Sequence, residues 1–251
     1  MILLIDVGNS NIVFSFSNGK TVGHCYRFKT FNNKTSDEYY ILIKSMLDLE
    51  EFDDVIISSV VPIVTSALTK LFKTYYEINP KIVGPGVKTG ISLKVDDPKT
   101  VGADMICDTA GAMALSKEAI IIDLGTATKY IYAKNNTFYG CSIAPGVAIS
   151  MKALVSSAAL LPNIEMTSPK KVIGTNTITC MQSGVIFGAA ASVDGMVERI
   201  FDEIGNKEVP VYATGGLSSI IVPLCKNKIE LKENLTVQGL LEIYNKNLAA
   251  K

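Results

Sequence analysis

Tryptophan is absent from the chain and histidine occurs once, as His24. A single histidine excludes metal sites built from several imidazoles, and it argues against a histidine-based serine hydrolase triad, for which His24 would have to be the base. Cysteine is sparse: Cys25, Cys107, Cys141, Cys180 and Cys225 are odd in number, widely spaced and never arranged as CxxC. That pattern speaks against both a disulfide framework and a zinc site, and the His24-Cys25 pair reads as strand packing. Neither sign of charge is in excess, with 24 basic and 24 acidic residues. No basic footprint therefore points to nucleic acid or an anionic membrane, and a small-molecule partner is expected. The first residues, Met1 to Asp6, lack a basic n-region, and no uninterrupted apolar run reaches the ~18 residues of a spanning helix. A cytoplasmic protein is expected. The phosphate-binding patterns GxxxxGK[ST] and GxGxxG are also missing, so any nucleotide must be held in another way. The 251 residues are 48% hydrophobic, enough for a sizeable core in one large domain or two small ones.

What the chain does contain is an internal repeat. The stretch Leu4 to Phe16 resembles Ile121 to Ala133: an apolar strand, a D-x-G turn of small polar residues, then a β-branched or aromatic run consistent with a returning strand. Val55 to Pro62 and Val211 to Leu217 form a second echo, each running from a strand through a small-residue turn toward a helix. Between these lie helix signals. Thr35-Ser36-Asp37-Glu38 is a capping box that opens an amphipathic run, and Pro62 suits a first helical turn. Helical patterns also cover 101–115, 147–160, 177–204 and 236–248. Two α/β halves are predicted, residues 1–115 and 116–251, with the last helix able to pack back on the first half. Within 177–204, Gly184 and Gly188 with Ala189, Ala190, Ala191 and Ser192 form a small-residue face, suited either to tight internal packing or to a dimer interface.

Small polar turns at strand ends present backbone N–H groups and hydroxyls to phosphate oxygens. An adjacent carboxylate would repel that phosphate without an intervening cation, so Asp6 and Asp123 imply a bound metal, with Mg²⁺ held through water the natural choice. One D-x-G is an ordinary turn. Two in the same strand context, followed by Thr214-Gly215-Gly216, are a much stronger signal.

These features resemble the acetate and sugar kinase, heat-shock chaperone and actin superfamily. The resemblance implies a duplicated ribonuclease-H-like (actin-like ATPase) α/β fold closing around ATP, with Gly215 and Gly216 near the nucleoside. A closer likeness spans nearly the whole chain through DVGNSNIV at Asp6 to Val13, SSVVP at Ser58 to Pro62, GPGVKTGI at Gly84 to Ile91, and VGAD at Val101 to Asp104. It continues through DLGTAT at Asp123 to Thr128, IAPG at Ile143 to Gly146, GTNT at Gly174 to Thr177, and MQSG at Met181 to Gly184. In that order they are similar to the type III pantothenate kinases.

That resemblance implies ATP-dependent phosphorylation of pantothenate, the first step toward coenzyme A, by a homodimer. It assigns Asp6, Val7, Gly8, Asn9, Ser10, Asn11, Ile12 and Val13 to an ATP cradle, Thr126 to a phosphate, and Asp123 to a monovalent cation, K⁺ or NH₄⁺. Charge reasoning alone favoured Mg²⁺ at Asp123. The resemblance is followed there, and divalent metal is left to Asp6. Gly102, Ala103 and Asp104 would border pantothenate, Thr177 would reach it, and Asp104 is the expected general base.

The chain departs from the family pattern in three places. Met105 stands where GADR has arginine, so a bidentate guanidinium grip on a carboxylate is missing. Val95 replaces an aromatic residue of the pantothenate site. Lys129 follows DLGTAT where threonine is usual, adding positive charge near the phosphates. A kinase of the same fold for another hydroxyl compound, and a non-catalytic nucleotide-binding regulator, therefore stay open as alternatives.

Overall fold

The computed structural model describes residues 1–248, which divide into two compact units. In chain order the first holds β1 (Ile2–Val7), β2 (Asn11–Ser17), β3 (Val22–Lys29), α1 (Ser36–Leu47), β4 (Asp54–Ser59), α2 (Pro62–Tyr76), β5 (Lys81–Ile82), β6 (Ser92–Leu93) and α3 (Ala103–Leu115). The second holds β7 (Glu118–Leu124), β8 (Ala127–Lys134), most of β9 (Thr137–Pro145), α4 (Val147–Ser157), α5 (Thr177–Ile204), β10 (Val211–Thr214), α6 (Ser218–Ile221) and β11 (Glu230–Leu231). The chain then returns to the first unit for α7 (Leu235–Leu248), and residues 136–138 at the start of β9 also belong there, pairing in parallel with β6.

In the first unit the sheet order is β3-β2-β1-β4-β5. β1 lies antiparallel to β2 and parallel to β4. Its residues are apolar without alternation because both faces of the sheet are covered. Leu3, Ile5 and Val7 join Val55 and Ile57 under Tyr39 and Ile43 of α1 and Leu68 and Phe72 of α2. Leu4 and Ile56 face the other way, against Ile106 and Ala110 of α3 and Val237, Leu240 and Tyr244 of α7. The capping box is formed as the sequence predicts, with Thr35 and Glu38 bonded reciprocally at the start of α1.

The second unit repeats this plan. β7 lies antiparallel to β8 and parallel to β10, in the order β11-β10-β7-β8-β9. Ile120, Ile122 and Leu124 pack against Ile186, Ala190, Val193, Val197 and Phe201 of α5, spaced three and four residues apart on one helix face. By length and composition α5 could cross a membrane, but this stripe is committed to the core of its own unit. The helix stops at Gly205, which adopts the left-handed conformation of a C-terminal cap, φ 67°.

Candidate active site

The first D-x-G turn is held by its neighbours' main chain. The Gly8 N–H donates to Asn11 O at 2.9 Å, while Thr30 clamps the loop with N–H to Ser10 O at 3.0 Å and Oγ1 to Gly8 O at 2.7 Å. Parallel pairing sets Ser58 beside Asp6, and Ser58 Oγ donates to Asp6 Oδ1 at 2.9 Å. The start of α2 is fixed by Ser59 Oγ, which accepts from Val61 N at 3.0 Å and Thr65 Oγ1 at 2.6 Å. Asn9, Ser10 and Asn11 are exposed at the tip. Val7, Ile12 and Val13, by contrast, have side chains in the apolar core. They can offer a nucleotide only main-chain groups, the kind of donor on which such a phosphate turn relies.

Asp104 opens α3 in the same unit. Its Oδ1 accepts from Met105 N at 2.8 Å, and a Cβ on Gly102 would lie 2.5 Å from that oxygen and 3.4 Å from Val60 Cγ1. One turn on, the Cys107 thiol is fully buried. Burial pushes its pKa well above the usual thiol value, the Asp6, Asp108 and Asp104 charges raise it further, and a hydrogen bond with Ser58 opposes them. The Asp6, Asp104 and Asp108 charges are thus all felt at that thiol, while Asp108 itself is buried and bonded to Thr236 of the last helix. Met105, only 7% exposed, belongs to the core. Val95 is half-buried in the turn after β6. A groove of ≈ 750 Å³ along α2, bordered by Ser59, Val60, Thr65, Lys70 and Lys73, includes none of the predicted site residues.

In the second unit Gly125 N donates to Ala127 O at 3.2 Å across the turn. Two glycines explain the IAPG and TGG motifs sterically. A Cβ on Gly146, the residue before α4, would lie 2.6 Å from Gly125 O and closer still to Thr126 O, so the helix starts directly against the turn. Gly215, at φ +95°, would place a Cβ 2.5 Å from Leu124 C and 2.7 Å from Asp123 Oδ1. Gly215 therefore lies against the second turn, while Gly216 borders open space. Thr177, exposed, is the first residue of α5 behind its Asn176 cap.

The register of this hairpin differs from the first. Asp6 stands opposite Val13, but Asp123 stands opposite Lys129, because the second turn is one residue shorter. Lys129 Nζ meets Asp123 Oδ2 at 2.6 Å, with the two side chains 12% and 14% exposed. A further unit charge about 4 Å from that ammonium would be repelled by about 4 kcal/mol at an effective dielectric near 20. The residues present thus do not fit a K⁺ or NH₄⁺ ion at Asp123. Asp6 does fit Mg²⁺, since one carboxylate with ordered neighbours suits an ion that keeps its waters and travels with a nucleotide. The described residues hold no cluster of three or more His, Cys, Asp or Glu side chains able to bind a metal.

Sequence reasoning missed Thr30 and the hydroxyl of Ser58. Ser58 lay within the SSVVP motif, and its alignment with Asp6 becomes visible only when β1 and β4 are paired.

Two α/β units of the same plan, with D-x-G turns at matching strand ends, define the duplicated actin-like ATPase fold. The same fold is found in component A of (R)-2-hydroxyglutaryl-CoA dehydratase from Acidaminococcus fermentans, at TM-score 0.58 and 15% identity over 100% of this chain and 99% of that one. It is found again in the activator of 2-hydroxyisocaproyl-CoA dehydratase from Clostridium difficile, at TM-score 0.53 and 13% identity over 99% and 95%. Sequence then narrows the class. The family model for type III pantothenate kinase matches residues 2–199. Type III pantothenate kinase of Acholeplasma laidlawii is 44% identical over 99% of this chain and 100% of the relative, and that of Halalkalibacterium halodurans is 42% identical over 99% and 100%. The chain belongs to the type III pantothenate kinase family.

Proposed function

We propose that this kinase transfers the γ-phosphoryl group of ATP to the primary hydroxyl of pantothenate, forming 4'-phosphopantothenate at the first step of coenzyme A synthesis. The observation that carries the reading is the full-length likeness to this family, with Asp104 of the VGAD motif at the head of α3. Phosphoryl transfer needs chiefly positioning and charge neutralisation. The main chain of the Gly8–Asn11 tip and the Thr126 turn offers donors to phosphate oxygens. Mg²⁺ arriving with ATP would be held by Asp6 through water and would neutralise phosphate charge there. Asp104 accepts the proton of the attacking hydroxyl as the new O–P bond forms, and ADP leaves with the electrons of the broken bond. Gly102 and Ala103 are assigned to the acceptor, and so is Thr177. The enzyme acts as a cytoplasmic homodimer.

The test is ADP release with and without pantothenate, with mass spectrometry of the product. Pantothenate-dependent release is expected. Turnover only with another alcohol, or ATP binding without turnover, would overturn the reading. Asp104→Asn should lower kcat by roughly 10²- to 10⁴-fold, the usual contribution of general base catalysis, while ATP affinity measured by calorimetry is unchanged.

A further inference from the structure

We propose that Lys129 is a built-in monovalent cation at the second phosphate turn, so that phosphoryl transfer by this enzyme requires neither K⁺ nor NH₄⁺. The inference rests on the kinase reading above, but its argument is local to one hairpin. Antiparallel pairing of β7 and β8 sets Lys129 directly opposite Asp123, so both side chains leave the same face of the sheet. The ammonium meets Asp123 Oδ2 at 2.6 Å, the short separation of a charge-assisted hydrogen bond, and both groups are largely shielded from water. A carboxylate at a phosphate turn needs a positive partner. Here the chain supplies one covalently.

The duplicated hairpin is an internal control. Asp6 occupies the equivalent strand end, yet the residue opposite it is Val13, and its Oδ1 is bonded by the Ser58 hydroxyl instead. The register sets a lysine opposite the aspartate in only one of the two hairpins, which marks that placement as a local device and not a consequence of the fold. An ammonium carries the single positive charge that a bound monovalent cation would bring to this carboxylate. A tethered ammonium and a diffusible cation cannot both occupy the same side of one carboxylate. Gly215 closes another side, because its backbone lies too near Asp123 Oδ1 to admit even a Cβ.

The deciding experiment replaces KCl by choline chloride at constant ionic strength and follows pantothenate-dependent ADP release, alongside a thallium-205 NMR titration of the protein. The wild-type enzyme is expected to keep its kcat/KM without K⁺ and to show no saturable Tl⁺ site. Lys129→Thr should lose activity by about ten- to a hundred-fold in K⁺-free buffer, the loss typical of a charge-assisted hydrogen bond, and recover with K⁺ or NH₄⁺. Lys129→Arg, which keeps the charge should the threonine variant not fold, should remain indifferent to K⁺. Several-fold activation of the wild type by K⁺, or a saturable Tl⁺ site, would overturn the proposal. Absence of pantothenate-dependent turnover in every salt would instead refute the kinase reading and leave the thallium titration to decide the cation question.

Discussion

Tyr244 of α7 shows how single ionisable groups are set by their surroundings. Its hydroxyl donates to Asp54 Oδ2 at 3.0 Å, and Lys81 pairs with the same carboxylate oxygen. Burial, with the Asp54 hydrogen bond and charge second, pushes the phenol up to about 12. An unfolded tyrosine ionises near pH 10, so between about pH 10 and 12 the unfolded chain has lost a proton that the folded one retains. The contribution is intact below pH 10 and is lost as pH rises toward 12. Burial pushes the Cys225 thiol up to about 12 as well, adding to the same alkaline decline. The fall in melting temperature between pH 10 and 12, followed by circular dichroism, should be shallower in Tyr244→Phe than in the wild type. Identical slopes would mean that this phenol is not held neutral. At the same scale, the Lys129–Asp123 pair was half legible: the sequence placed a positive charge near the phosphates, while its bond to one carboxylate oxygen depended on the cross-strand register.

At the scale of elements, the contact of α3 with α7 governs how Asp104 is presented. The helices meet at Gly111 and Gly239, which let their backbones touch. A Cβ on Gly239 would fall on Cys107 O and lie 2.7 Å from Gly111 N, and one on Gly111 would lie 2.5 Å from Leu235 O. Near the same crossing, Thr236 Oγ1 donates to buried Asp108 at 2.6 Å. No rotamer change relieves a clash between a Cβ and main chain, so Gly239→Ala must separate the helices. Overpacking of this kind typically costs about 1–3 kcal/mol, and urea melts should show at least that loss. Since α3 carries Asp104, kcat should fall as well, whereas a neutral Gly239→Ala would show that α7 is merely apposed. Helix signals placed this terminal helix within a residue of its observed start. Its partner was not legible, because glycines that admit a close crossing resemble any others in the sequence.

For the whole molecule, the small-residue face of α5 separates two earlier expectations. Gly184, Gly188, Ala191 and Ser192 are exposed, and a Cβ on either glycine would meet nothing within 4 Å. These four residues are therefore not spent on packing inside the chain, whereas Ala189 and Ala190 of the same stretch are. The same unit also exposes Ile149 and Leu154 on α4 and Ile178 on α5, which supports a second copy of the chain as the occupant. Sedimentation at micromolar concentration should give a dimer. Gly188→Arg, whose side chain enters open space in the isolated chain, should leave the fold intact and give a monomer. A wild-type monomer that turns over pantothenate would remove the dimer from the mechanism.

The sequence alone determined the duplicated plan, the two D-x-G turns, the ends of several helices and the family. Those features are written locally, in strand-turn-strand patterns, caps and ordered motifs that need no distant partner. Tertiary structure decided what long-range pairing controls. A turn one residue shorter in the second hairpin moved Lys129 opposite Asp123, because successive strand residues face opposite sides of a sheet. Coverage of the sheet sent the side chains of Val7, Ile12 and Val13 inward, and Met105 at the head of α3 likewise belongs to the core. Parallel pairing of β1 with β4 brought Ser58 to Asp6 across 52 residues of chain. A residue's type states the chemistry it can perform, but which carboxylate it reaches is set by the strand or helix packed beside it.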